Sequence, residues 1–423
     1  MNLFSKLFYK YRRMSKVVRL YLLISGPGII VMLADNDAGG ITTYTATGAR
    51  FGYGLIWFLV LLGPAAYFVQ EMTVRLGAVT KRGHAEAIFD AFGSFWGWFS
   101  LLDLVLVNWL TLITEFIGMT AALAIFGIPA WLTILLVCLV MSFMVLRGRY
   151  WAWEKLAFLF CALNVIYIPA AFLVHPSVSD VLKNGMIPHF PGGFSSEMFF
   201  FLMANIGTTI APWMVFFQQS AVVDKGLQEK DIPWGKFDTF MGSMFTVLVA
   251  IFCVVVTGTL LSGVNIQSAA EAAILLMHVN ASLGTLLAIG LFNAGFLGAI
   301  CISLASSWAF GEVFGWAHSL NHKVREAPWF YACYFITLLT AGGVVLIPHA
   351  PLVLITLFVQ VIAVTLLPAA LVFLLLLLND RSIMGEYRNS LFQNIVSGTI
   401  ILGLIVLSTL YGVSALFPSL FPA

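Results

Sequence analysis

Two stretches of this chain, Thr239–Leu261 and Ile395–Ala423, carry no charged residue, and each exceeds the ~20 apolar residues with which a helix crosses a bilayer. A backbone N–H or C=O without a partner is costly in hydrocarbon, so such segments close their own hydrogen bonds as helices. Of 423 residues, 61% are hydrophobic and 9% charged, against roughly 25% charged in an ordinary soluble domain. The sequence therefore specifies an all-α polytopic membrane protein, with the lipid bilayer as its first partner. A net charge of +2 offers nothing that points to nucleic acid. The five cysteines (Cys138, Cys161, Cys253, Cys301, Cys333) lie scattered in apolar runs, which excludes a disulfide framework and a cysteine-type zinc site.

Eleven transmembrane helices are expected, over about 22–46, 54–78, 93–126, 129–146, 152–174, 197–220, 238–262, 281–314, 328–346, 350–377 and 392–416. They group as a basic amino-terminal segment 1–21, a first five-helix repeat 22–174, a second 197–377 and a final helix 392–416. Residues 266–280 alternate apolar with polar positions and read as an interfacial helix. No small-residue cleavage site follows the basic start, so Leu20–Ala34 reads as the first half of a retained helix. With the amino terminus in the cytoplasm, every one of the 21 lysines and arginines except Arg50 and Lys183 falls on the inner side, as the positive-inside rule demands. An odd number of spans then places the carboxy terminus outside. The longest outer loop, 175–196, is too short to be a domain.

Two spans are interrupted. The first contains Gly26-Pro-Gly and then Asp35-Asn-Asp-Ala-Gly-Gly40, and the sixth contains Asn205-Ile-Gly-Thr-Thr-Ile-Ala-Pro-Trp213. Irregular backbone at membrane depth survives only where it lines a cavity or is buried in protein. Interruptions at matching places in two halves mark a transporter's substrate site. Pro212 has no N–H, so the carbonyl of Thr208 is expected to lose its helical donor and to become an oxygen site for a cation beside Asp37. Asp35 and Asp37 lie about 200° apart around an intact helix. They reach one point only if the helix has unwound; otherwise Asp35 caps a half-helix or faces a wet vestibule.

The third span carries Asn108, Thr111 and Glu115 on one face, and an acid there needs a partner or a wet path. Asp103 lies off that stripe, and a hydrogen bond to a neighbouring helix is at least as good a reading of it as a functional role. Glu71 and Arg75 make an i, i+4 pair. Gln360 either glues helices together or reaches the interruptions. The aromatics, twelve tryptophans among them, read as belt and packing residues. The histidines fall at loops and span ends, which removes the easiest proton carrier near neutral pH from mid-membrane.

Gly26-Pro-Gly with Asp37-Ala-Gly-Gly40, Phe51-Gly-Tyr, Gln70 with Arg75-Leu-Gly, Thr114-Glu-Phe-Ile-Gly118, Ala211-Pro-Trp213, Gln360-Val and Asn379-Asp-Arg-Ser-Ile-Met-Gly385 together resemble the NRAMP family of divalent-metal transporters, in order along most of the chain. The resemblance implies two inverted five-helix repeats of the LeuT-like type plus an eleventh helix, with the metal between broken helices one and six. It implies no cofactor beyond the transported ion, no enzymatic activity, a monomer, and the inner membrane of a prokaryote.

The departures from the family pattern point further. The family's Asp-Pro-Gly-Asn is here Asp37-Ala-Gly-Gly40, and its Met-Pro-His is here Ala211-Pro-Trp213. An amide and a thioether are gone. Oxygen and water suit magnesium and manganese, whereas thioether sulfur favours softer metals. Mg²⁺ sheds its waters reluctantly, so the pattern resembles the NRAMP-related magnesium transporter branch. Trp213 and Gln218 replace family histidines and Leu112 replaces an acid, which implies transport not coupled to protons. On this reading Asp37 is the charged ligand, Ala34 and Thr208 give carbonyl oxygens, Gly40 and Ala211 give room, and Gln360 bonds coordinated water. Asp35, Glu115, Gln70, Asn205, Thr209 and Trp213 form the surroundings or the path. The expected activity is import of Mg²⁺, and of Mn²⁺ but not Ca²⁺. Its rivals are a proton-coupled Mn²⁺/Fe²⁺ importer, a carrier of organic solutes and a channel. An intramembrane enzyme lacks any catalytic motif.

Overall fold

The computed structural model describes residues 25–146, 149–266, 268–348, 350 and 352–417. The basic segment 1–21, the opening of the first expected span, and Arg147 lie outside the described residues. Every described regular element is a helix. The first expected span is two short helices, α1 (Pro27–Ala34) and α2 (Ala38–Phe51). Helices α3 (Ile56–Thr80), α4 (His84–Ala124) and α5 (Ala130–Val145) follow. The fifth expected span is α6 (Tyr150–Leu163), a 3₁₀ turn at Asn164–Ile166, and α7 (Tyr167–Leu173). A short α8 (Val178–Gly185) sits in the long loop, and the sixth span is again double, α9 (Ser196–Gly207) and α10 (Pro212–Lys225). Then come α11 (Ile232–Leu260), α12 (Ala269–Val279), α13 (Ala281–Phe314), α14 (Pro328–Val345), α15 (Leu352–Asn379), a single turn α16 (Arg381–Met384) and α17 (Leu391–Leu416).

Nine described helical segments are long and apolar enough to cross a bilayer. The interrupted α1–α2 and the sixteen-residue α5 occupy the places of the first and fourth expected spans. Pro64 and Pro368 lie inside continuous helices, whereas Gly93, at φ 81°, kinks α4 near its start. Leu61, Phe95, Leu102, Leu139 and Phe172 point outward and are well exposed, the surface a lipid solvent selects.

Asp103 is half-buried, and of its two readings the hydrogen bond to a neighbouring helix is not found among the described residues. The Glu71–Arg75 pair does form, at 2.8 Å, and is enlarged by tertiary contacts. Lys236 reaches Glu71 at 2.5 Å, and Arg75 donates to Asn389 at 2.6 Å.

The start of α1 is held by three other helices. The amides of Gly26, Gly28 and Ile29 donate to one oxygen of Asp238 at 3.0, 2.8 and 3.3 Å. A carboxylate at the positive end of a helix is favourable, and it satisfies donors that an eight-residue helix leaves open. Beside it Lys225 pairs with Glu154 at 2.7 Å, with both side chains almost wholly buried. Lys225 also donates to the carbonyl of Ser25 at 2.6 Å. Removing one member of a buried ion pair strands the other, at about 3–5 kcal/mol, while replacing both by apolar groups costs far less. Thermal unfolding in detergent is therefore expected to show Glu154→Met and Lys225→Met each lowering the midpoint more than the double variant does.

Candidate metal centre

Both helix interruptions are true breaks, and they face each other. In the first, Asp35 ends α1 by donating its N–H to Val31, and Asp37 then turns extended and caps α2. Its Oδ1 accepts the amide of Gly40 at 2.6 Å. The amide of Ala38 does not return to the carbonyl of Ala34, four residues back, but donates to Glu115 Oε2 at 2.9 Å. Ala34 thus ends a helix with its carbonyl released from the ladder. The preceding carbonyls are taken by side chains. Asn164 donates to Leu33 at 3.4 Å, and the Thr246 hydroxyl donates to Met32.

In the second break, α9 stops at Gly207 and residues 208–211 are irregular. This corrects the expectation for Pro212, which sits at the first position of α10, where a missing N–H is harmless. The carbonyl of Thr208 is exposed by the end of α9, not by the proline. Nor is it left without a donor, because the Tyr44 hydroxyl reaches it at 3.2 Å and lies 3.1 Å from Thr209 Oγ1. Asn205 ties α9 to α2 by donating to Thr47 Oγ1 at 2.9 Å, and its carbonyl accepts both threonine hydroxyls.

The space between the breaks is measured by what a side chain at Gly40 would meet. A Cβ there would lie 3.2 Å from the Asp35 carbonyl, 3.3 Å from Asp37 Oδ1 and 3.6 Å from Thr208 Cβ. Gly39 leaves room for the Gln360 amide, which would collide with any Cβ at that position. Gln360 thus lies against the first break, and its Nε2 is buried without a hydrogen-bond partner. Gly298 on α13 plays the same part on the other side, where a Cβ would stand 2.9 Å from Asp37 Cβ and 3.0 Å from Glu115 Oε2.

Of the residues expected here, Asp35, Asp37, Gly40, Thr208, Thr209, Glu115, Asn205 and Gln360 are brought to the two breaks. Ala34 and Ala211 flank them. Both oxygens of Asp35 are buried without a hydrogen-bond partner. Trp213 is fully buried on α10 beside Phe217. Gln70 is also buried, with both amide atoms unpartnered, but no hydrogen bond links it to the breaks. Tyr44, Asn164 and Thr246 were not anticipated. Tyr44 could have been found: Asp37, Gly40 and Tyr44 stand at i, i+3 and i+7, one face of α2.

Among the described residues no group of three or more His, Cys, Asp or Glu side chains is placed to hold a metal. A cation here has to be held by carbonyls, at most a pair of carboxylates, and water. The carboxy-terminal ends of α1 and α9 supply negative dipole ends at this point. The centre is closed: Asp35, Asp37, Thr208 and Glu115 are each 2% exposed or less. A cavity of about 290 Å³, lined by Lys81, Glu86, Asp224, Glu312 and His318, stops short of it on one side. On the other, a cavity of about 230 Å³ ends at the Arg50–Glu197 pair. Because Glu115 completes the start of α2, Glu115→Ala leaves a buried amide unpaired at a cost of ~1–3 kcal/mol. Thermal unfolding is expected to show that loss, with Glu115→Gln, which keeps an acceptor, losing clearly less.

The profile of the family described as natural resistance-associated macrophage protein-like (Nramp) matches residues 28–414. A divalent metal cation transporter, MntH, of Staphylococcus saprophyticus is 28% identical over 417 residues, covering 90% of each chain. A second MntH, from Caldanaerobacter subterraneus, is 26% identical over 392 residues, again covering 90% of both. Among solved structures, the manganese transporter of Eremococcus coleocola superposes with a TM-score of 0.81 at 20% identity, over 95% of this chain and 88% of that one. MhsT in complex with L-phenylalanine superposes at 0.59 and 14% identity, over 91% and 98%. At these identities the structures speak for the fold alone.

Proposed function

The chain belongs to the Nramp family, and from that premise we propose that it is a divalent-cation carrier that imports Mg²⁺, and also Mn²⁺, as a largely hydrated ion. Relatives covering 90% of the chain are named as divalent metal cation transporters, which supports the coarser half of this reading.

The finer half rests on one observation, the glycine at position 40, where a Cβ would stand 3.2 Å from the Asp35 carbonyl and 3.3 Å from the Asp37 carboxylate. An asparagine there, as in the family pattern, would press its own amide in among these oxygens. Without it, and with Ala211 in place of a methionine, the ion meets fewer side-chain ligands and leaves more of its shell to water. Mg²⁺ keeps several waters and takes one or two carboxylates, while Ca²⁺ seeks six to eight direct oxygen ligands at 2.3–2.6 Å. A site of this kind favours the first and fails the second.

In the proposed cycle Asp37 carries the charge that draws the ion in, and the carbonyls of Ala34 and Thr208 orient it. Gln360 and Glu115 bond its waters, with Asp35, Asn205, Thr209, Gln70 and Trp213 around them. Tyr44 has to share or release the Thr208 carbonyl when an ion arrives. The α1–α2 and α9–α10 halves then open the centre to one side at a time, the alternation that broken helices serve in such folds. No second ion is required. Each 100 mV of membrane potential contributes ~2.3 kcal/mol per charge, or ~4.6 for a divalent ion. The proton-coupled Mn²⁺ reading draws on the same geometry, since Glu115 lies beside Asp37.

Proteoliposomes loaded with a Mg²⁺-sensitive dye test the reading. Saturable Mg²⁺ influx, lost in Asp37→Ala and unaccompanied by acidification of the lumen, is the expected result. Influx of Mn²⁺ alone, with proton uptake, would return the protein to the coupled reading. The paired variant Gly40→Asn with Ala211→Met is expected to lower Mg²⁺ flux about tenfold relative to Mn²⁺, equivalent to ~1.4 kcal/mol, in a competition assay.

A further inference from the structure

A groove of about 390 Å³ opens on the outer surface between α3, the end of α9 and α17. Its rim includes Leu61 and Pro64 of α3 and Thr399 of α17, while Ile206 and Ile210 lie at its floor. Thr399 is the one polar side chain in the lining, and its hydroxyl already donates to the Ile395 carbonyl at 2.8 Å. The groove therefore offers no side-chain hydrogen-bond donor to an occupant, and its lining is otherwise apolar and suits hydrocarbon. It faces the bilayer, since Leu61 and Ile395 at its edge are both more than half exposed, and α17 is the least buried of the spanning helices.

The floor is what gives the groove meaning. Ile206 and Ile210 are 3% and 1% exposed and bracket Thr208 and Thr209. The amide of Ile210 donates to the Ile206 carbonyl at 2.8 Å, so the two isoleucines form the two ends of the unwound turn itself. One side of that turn carries Thr208, whose Cβ lies 3.6 Å from where a Cβ at Gly40 would stand, and the other is the bottom of the groove. The hollow exists partly because Gly403 has no side chain. A Cβ at Gly403 would meet nothing within 4 Å.

We propose that an acyl chain of a membrane lipid seats in this groove and braces the unwound turn between α9 and α10 from behind. A bilayer chain is already out of water and is held by van der Waals packing alone, so it exchanges with the surrounding lipid and yields when the turn moves. A filler bonded to the protein cannot leave, and it holds the turn in the closed arrangement. The groove is thus a lipid site whose occupancy sets how readily the ion centre opens, and none of its side chains is a candidate ligand.

The test uses the full chain in proteoliposomes containing phospholipid with a diazirine midway along one acyl chain. After irradiation and digestion, label on peptides spanning residues 61–68 and 395–407 is expected to exceed that on the exposed face of α5, at Leu135, Leu139 and Phe143, by about threefold. Gly403→Phe should remove the excess and leave the α5 label unchanged. It should also slow Mn²⁺ influx by about threefold with the concentration for half-maximal flux unaltered. Gly403→Leu serves if the larger variant misfolds. Gly398→Phe, equally unhindered on the same helix but outside the groove, should change neither reading. Equal labelling of groove and α5 overturns the site. Labelling that Gly403→Phe removes without slowing influx overturns the brace.

Discussion

The amide of Ala38 turns to Glu115, 2.9 Å away, and the arrangement around the candidate metal centre follows from that departure. A helix that kept its ladder through residues 35–38 would spend the Ala34 carbonyl on that amide. It would also send Asp35 and Asp37 to different faces. By accepting the amide, Glu115 lets the chain unwind without stranding a donor in hydrocarbon. The bond also explains how Glu115 is tolerated in a span, since one of its carboxyl oxygens accepts a donor at the start of α2. The same end is completed by Asp37, so two carboxylates are drawn to one point by backbone donors before any ion is considered.

A break of this kind leaves short helices, and short helices do not hold themselves. Helix α1 is eight residues long and is fastened at both ends by other elements. Asp238 of α11 takes its first amides, while Asn164 and Thr246 take carbonyls of its last turn. On the α9 side the fastening passes through Tyr44 and Asn205 to α2. The two breaks are therefore joined to each other as well as to the scaffold, and movement at one is felt at the other. Glycines at 39, 40 and 298 make the approach close enough for this, as small residues do where membrane helices meet.

Much of the fold was legible because the bilayer imposes a simple rule on sequence: long apolar runs are helices, and polar or glycine-rich gaps within them need a reason. That rule located both interruptions and singled out Asp37, Glu115, Thr208 and Gln360. Where it misled, the error was one of local register. Pro212 read as a helix interior, yet α9 had ended five residues earlier, so the proline begins a helix and frees no carbonyl. Asp103 was open between a hydrogen bond to a neighbouring helix and a functional role, and no such bond is found among the described residues. Gln360 was open between two uses, and its position against Gly39 puts it at the first break.

The sequence by itself determined that this is a helical membrane protein with two interrupted spans, an acid at the first interruption and a family pattern from which an amide and a thioether are missing. These are properties of composition and order, and hydrophobic length and charge placement report them directly. Tertiary structure alone decided which partners fill the breaks. Tyr44 on the Thr208 carbonyl, Asn164 and Thr246 on the end of α1, and Asp238 at its start come from residues between 131 and 214 positions away. Hydrogen bonds of that reach depend on how helices pack, and no local pattern of apolar and polar residues carries that information.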